Sequence, residues 1–124
     1  MTWTTDELTR LADAEELRVA GRREDGSLRR LVTIWAVVVD DVLYARSVRG
    51  PQGGWYRGVQ QRHEGRIESG GVERDVVFTD VPAEDAVQDA IDAAYIAKYP
   101  RYAESVDDIT TASARGTTLR IDPA

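Results

Sequence analysis

The sequence predicts an α+β barrel of six or seven mostly antiparallel strands, with a short helix before the strands and a longer one after the hairpins. Three observations carry that expectation. Tight reversals at residues 24–27, at Asp40-Asp41 and at Gly70-Gly71 all precede Pro82, and a two-residue reversal joins only antiparallel neighbours. Runs rich in β-branched residues lie between those reversals. After Pro82 the apolar residues recur instead at helical spacing.

Each element follows in order. Thr4 and Glu7 have the spacing of a capping box, and Leu8, Leu11 and Ala12 continue at helical intervals, giving a helix to about Ala14. Residues 17–20 read as a strand. Glu24-Asp25-Gly26-Ser27 is a turn, because glycine after aspartate tolerates positive φ. Residues 31–39 are the strongest strand signal, nearly continuous in apolarity, as in a strand covered on both faces. Asp40-Asp41 turns the chain into a strand over 42–48. Arg49-Gly50-Pro51-Gln52-Gly53-Gly54 is the clearest loop, and 55–61 is one helical turn or an irregular segment. Strands over 66–69 and 72–81 flank Gly70-Gly71 as a hairpin. Pro82 opens a helix to about Lys98, carried by Ala83, Ala86, Val87, Ala90, Ile91, Ala94 and Tyr95. Tyr99-Pro100 ends it. Tyr102, Val106 and Ile109 fit a second helix, and 117–121 a last strand. The length suits one domain over residues 1–124.

Composition narrows the function classes. The 124 residues hold 22 acids, 16 bases, one histidine and no cysteine, for a net charge of −6. Zero cysteines exclude zinc ribbons, iron–sulfur clusters and thiol nucleophiles, and one histidine excludes multi-histidine metal sites. The acidic balance argues against a nucleic-acid partner. No apolar run is long enough for a membrane span, and residues 1–13 are acidic, unlike a signal peptide, so the expected location is the cytoplasm. The charge is uneven, however. Residues 18–66 carry ten arginines and five acids, net +5, between flanks of −4 and −7. A basic middle marks a local anion site, or arginines that solvate exposed strand faces.

Known chemical motifs are few. The sequence contains no G-x-S-x-G, G-x-G-x-x-G, phosphate-loop or H-E-x-x-H pattern. His63-Glu64 lacks a second histidine, so no metal set is assigned, and His63 reads as part of a solvated turn. Asp85, Asp89 and Asp92 fall on one side of the long helix and read as a solvated face. No residue is assigned as a catalytic acid or base.

The segment over residues 42–57 carries the most chemistry. It places Arg46, Ser47 and Arg49 at a strand end, then Gly50, Gly53 and Gly54, then Trp55, Tyr56 and Arg57. Glycines let backbone N–H groups approach an anion, and arginine forks match phosphate geometry. Trp55 and Tyr56 offer flat surfaces for a ring system. The combination suits a ligand both planar and anionic. The same residues also suit an arginine-bearing hairpin with a tryptophan anchoring a loop to the core.

The order Gly21-Arg22-Arg23, Asp25-Gly26, Arg29-Arg30, apolar strand, Asp40-Asp41-Val42-Leu43-Tyr44, Arg46-Ser47, Gly50, Trp55 resembles the flavin-binding split β-barrels. Among these it is similar to the deazaflavin-dependent nitroreductases and the wider pyridoxamine-phosphate-oxidase-like superfamily. Ile34-Trp35, Leu43 to Ser47, Gly53 to Arg57, Gly70 to Val76, Asp92 to Tyr95, Lys98-Tyr99 and Thr117 to Arg120 resemble a small bacterial family of no assigned function over nearly the whole chain. The resemblance implies a homodimeric barrel holding FMN or a deazaflavin at the subunit interface. Matching positions are Arg29 or Arg30, Thr33, Arg46, Ser47, Arg49, Gly50 and Trp55. The usual continuation after the tryptophan is replaced here by Tyr56-Arg57-Gly58, so those two side chains replace or crowd a cofactor contact.

Three readings follow. The first is an oxidoreductase using FMN or a deazaflavin, in which the cofactor carries the chemistry. The second is a non-catalytic module holding another anionic small molecule. The third is a structural dimeric barrel without a cofactor.

Overall fold

The computed structural model describes residues 2–124. Helix α1 (Thr5–Asp13) begins with the anticipated capping box, Thr4 Oγ1 accepting from the Glu7 N–H and Glu7 Oε1 accepting from the Thr4 N–H. Strand β1 (Leu17–Gly21) follows, then β2 (Val32–Ile34), β3 (Ala36–Val39) and β4 (Val42–Ala45). A 3₁₀ turn (Gly50–Gln52) leads into α2 (Gly54–Gln60). Strands β5 (Glu64–Ser69) and β6 (Val72–Asp80) form the long hairpin. Helices α3 (Val87–Lys98), α4 (Ala103–Ile109) and α5 (Ala112–Arg115) precede the last strand, β7 (Leu119–Pro123).

The seven strands form one sheet in the order β2-β1-β5-β6-β7-β4-β3, with every pair antiparallel. Its two end strands are consecutive in sequence and separated by Trp35 alone. Cα atoms across a trans peptide lie about 3.8 Å apart, so Ile34 and Ala36 are held within two such steps. The sheet must therefore curl until its ends meet, and a nearly closed barrel results. This corrects one expectation: residues 31–39 are not a single strand but two, broken at Trp35. Apolar periodicity carries no mark of such a corner, since both halves are equally β-branched.

The near-continuous apolarity of that run still has the anticipated cause. Ala36 packs into the barrel interior with Leu17, Val19, Leu43, Ile67, Val76 and Ile121, while Val37 faces a second core with Tyr44, Ile91, Tyr95, Tyr99, Val106 and Ile109. Both faces of β3 are covered, one by the barrel and the other by α3 and α4. The hairpin turns also match: Gly70 and Gly71 have φ of 57° and 86°, and Asp40 and Asp41 have φ of 49° and 64°. Two successive positive φ values describe the tight turn whose twist suits a hairpin. Helix α3 starts five residues after Pro82, because Asp85 Oδ1 instead accepts from the Val87 N–H in a preceding turn. The short α5 has no counterpart in the sequence reading.

Candidate functional site

Where the barrel's end strands separate, neither β2 nor the chain beyond β4 has a strand partner on the facing side. A cavity of about 460 Å³ fills the gap. One wall is Val32, Thr33, Ile34 and Trp35; the other is the segment from Arg46 to Arg49; Gly53, Gly54 and Trp55 close one end, with Ser105 and Ile109 of α4 opposite.

The anticipated site residues divide into two sets. Thr33, Arg46, Ser47, Arg49 and Trp55 line the cavity together, and Arg29, Arg30, Gly50, Tyr56 and Arg57 do not. Arg29 lies across Gly58, where an added Cβ would come within 2.9 Å of its Cδ, and it donates to Gln61 Oε1. Arg30 and Arg57 are exposed. Gly50 has φ +66° and packs under α5, its missing Cβ standing 2.2 Å from Ser113 Oγ. Tyr56 meets Trp55 edge-on, with ring centroids 6.3 Å apart, and packs against the barrel core.

Arg46 reaches the cavity wall but is not a free anion fork. Its side chain is fully buried and all five N–H donors are committed to the protein: Thr118 Oγ1, Asp92 Oδ1, and Ile109 O, Gln88 O and Gln88 Oε1. Gln88 is itself buried, accepting also from Thr118 and donating to Pro82 O. With all five donors engaged inside the protein, Arg46 has none left to offer a ligand phosphate in this arrangement. Among the described residues the other cation on the cavity wall is Arg49, which is exposed.

Asp92 departs from its expected place as well. Its side chain is 22% exposed and joins Arg46 to Arg115, which also holds Asp89. Burial by itself would raise the Asp92 carboxyl, but the hydrogen bonds and charges of Arg115 and Arg46 outweigh it and hold the group below the usual aspartate range. His63, at φ +57° in its turn, lies 3.1 Å from Asp80 and far from this cluster in sequence. Among the described residues no group of three or more histidine, cysteine or acidic side chains is placed to hold a metal ion.

Ser47 is the exception to full pairing at the site. It is 1% exposed, its N–H donates to Thr117 Oγ1, and its Oγ has no partner. Opposite lies Gly53, where an added Cβ would fall 2.2 Å from that Oγ, whereas a Cβ on Gly54 would meet nothing within 4 Å. Gly53 thus lets the Ser47 hydroxyl pack against its main chain, and Gly54 leaves open space beside it. Sequence reasoning missed Trp35, whose interruption of an otherwise β-branched run was the available signal. It also missed Ser105 and Ile109, which no local pattern marks.

A family model described as "Uncharacterized protein conserved in bacteria (DUF2255)" matches residues 7–121. A search of curated proteins gives no match. Several solved structures are similar. The heme storage protein HutZ from Vibrio cholerae has a TM-score of 0.69 at 12% identity, covering 100% of this chain and 92% of its own. An F420-H2 dependent reductase has a TM-score of 0.61 at 15% identity, covering 87% and 93%. A FAD-binding protein from Mesorhizobium loti has a TM-score of 0.60 at 17% identity, covering 100% and 92%. At these identities the likeness is one of fold, and it establishes the split barrel.

Proposed function

We propose, from the premise that this chain belongs to the bacterial DUF2255 family, that its cavity binds a flavin-type cofactor, FMN or a deazaflavin, and that the protein is an oxidoreductase. The observation that carries this reading is Ser47, a cavity-lining residue whose buried hydroxyl has no partner, set in the same lining as Val32, Ile34, Trp35 and Trp55. Buried polar atoms are nearly always paired, so an orphan at a cavity wall marks a place for a ligand's polar edge. A volume of about 460 Å³ lies within the usual range for small-molecule sites. Two of the similar structures are described as an F420-H2 dependent reductase and a FAD-binding protein, which supports the ligand class.

The residues divide their roles by chemistry. Val32, Ile34, Trp35 and Trp55 supply flat apolar surface for a ring system. Ser47 Oγ hydrogen-bonds a polar ring edge, and Arg49 meets an anionic tail. Such a cofactor would supply hydride or electron transfer. None of the lining residues is an acid or a histidine, so the chain's part is binding, orientation and exclusion of water rather than acid–base catalysis. The homodimer implied by the resemblance belongs to the same proposal.

Titration of the purified protein with FMN, and then with a deazaflavin, tests the reading through tryptophan fluorescence, because Trp35 and Trp55 both line the cavity. Saturable quenching by at least one is expected. No quenching with either at high concentration overturns the proposal. Light scattering on the same samples reads the mass, and a monomer overturns the dimer.

A further inference from the structure

Lys98 is the one lysine in a chain with fifteen arginines, and the fold places it in a second cleft, of about 370 Å³. Asp13, Glu15, Tyr99, Arg101 and Tyr102 line that cleft with it, and none of them lines the cavity beside Ser47. The Lys98 amine donates to Ala36 O at 2.7 Å and to Leu11 O at 3.3 Å, and lies 5.4 Å from the Tyr99 ring centroid. Both acceptors are main-chain carbonyls; neither is a carboxylate. Two acceptors satisfy both N–H groups of a neutral amine and leave its lone pair without a bond, whereas an ammonium has a third N–H to place. Burial disfavours the ammonium and lowers it from the usual lysine range to about 8, with the charge of Asp13 opposing. An arginine could hold the same two carbonyls but could not give up its proton. The cleft also offers a cation for a ligand: Arg101 is exposed and, among the described residues, without an ion pair.

We infer that Lys98 is a carbonyl-capturing amine, which condenses with a small aldehyde whose carboxylate is held by Arg101. The Nζ lone pair attacks the aldehyde carbon, and a carbinolamine forms as one amine proton passes to the aldehyde oxygen. That oxygen leaves as water with a proton that reaches the exposed mouth of the cleft from solvent. The nitrogen lone pair closes the C=N bond, giving a protonated imine that keeps one N–H for Ala36 O. Nothing is oxidised or reduced, and hydrolysis reverses the step. Arg101 meets the carboxylate in a charge-assisted contact. Asp13 and Glu15 carry the same charge as such a ligand, so the cleft suits a single carboxylate rather than a phosphate dianion. The step uses no group of the flavin cavity and is independent of it.

Reductive trapping of the full-length protein with glyoxylate and cyanoborohydride tests it, with N-acetyllysine amide in the same tube as an ordinary lysine amine. Peptide mapping by mass spectrometry locates the carboxymethyl group formed and separates Lys98 from the N-terminal α-amine. At about pH 7.5 Lys98 is expected to be labelled at least about tenfold faster than the free lysine, because far more of it is neutral. Unfolding in concentrated urea removes that advantage. Arg101→Ala should slow labelling by glyoxylate about threefold, the scale of an exposed charge contact, and leave labelling by acetaldehyde unchanged. Circular dichroism checks that this variant keeps the fold. Labelling of Lys98 no faster than of the free lysine, or an advantage that persists in urea, overturns the inference. So does an Arg101→Ala variant that reacts with glyoxylate as fast as the native protein, or that is slowed equally with both aldehydes. Because no flavin is used, failure here is separate from failure of the fluorescence titration.

Discussion

Arg46 and Asp92 form an ion pair between the chain leaving β4 and helix α3, with the Arg46 side chain wholly shielded from solvent. The pair fastens the cavity wall to the helix layer behind it, and four further acceptors complete the guanidinium's coordination. Removing the cation takes its nearest buried donor from the Asp92 carboxylate, empties a large buried volume, and leaves the Ile109 and Gln88 main-chain carbonyls without that guanidinium. Arg46→Ala should therefore lower stability by about 3–5 kcal/mol, the range for breaking a buried ion pair. Urea unfolding measures it. A variant of native stability that has merely lost flavin affinity would show that the network contributes nothing to the fold.

Asp92 gives the same network a pH dependence. Its folded carboxyl titrates below the ordinary aspartate value, so the folded chain binds fewer protons there than the unfolded chain. The contribution is fully present above the unfolded value and is lost as pH falls through the depressed folded one. The urea midpoint of the native protein should fall more steeply on acidification than that of Asp92→Asn, which lacks the titrating group. Parallel acid limbs in the two proteins would refute this.

The barrel was legible because its turns and capping box are local devices. Thr4 with Glu7, Gly70-Gly71 and Asp40-Asp41 each write their geometry within four residues. The corner at Trp35 was not legible, since the cause of the break is that β2 and β3 pair with β1 and β4 at opposite ends of the sheet. The candidate site divides along the same line. Residues 46–55 were recognisable from composition, but the commitment of Arg46 depends on Gln88, Asp92 and Thr118, which lie 42 or more positions away. Spacing along a helix marked Asp92 as surface; the tertiary partners Arg46 and Arg115 bring it inward.

The Asp40-Asp41 turn holds two side-chain-bearing residues at positive φ, where a Cβ is disfavoured and glycine is not. Asp41→Gly should stabilise the protein by about 1 kcal/mol by relieving that strain, while Asp41→Val should destabilise it. The turn lies outside the cavity lining, so flavin quenching should be unchanged in Asp41→Gly. Chemical denaturation of the two variants checks the signs, and a loss of stability in Asp41→Gly would contradict them.

Ser47 separates binding from stability most directly. In the protein alone its Oγ is buried without a partner, so the hydroxyl carries a desolvation cost with no compensating bond. Ser47→Ala removes the cost and leaves the Ser47 N–H donation to Thr117 in place, because that bond is main-chain. The substitution should therefore be neutral or stabilising by up to about 1 kcal/mol in urea. If the hydroxyl meets a flavin-type ring edge, the same change should weaken fluorescence-detected binding by about tenfold, the equivalent of one neutral hydrogen bond of roughly 1.4 kcal/mol. A gain in stability with a loss in affinity is expected only of a residue whose partner is the ligand. Unchanged affinity in Ser47→Ala would remove Ser47 from the binding site and with it the main support for a cofactor at this cavity.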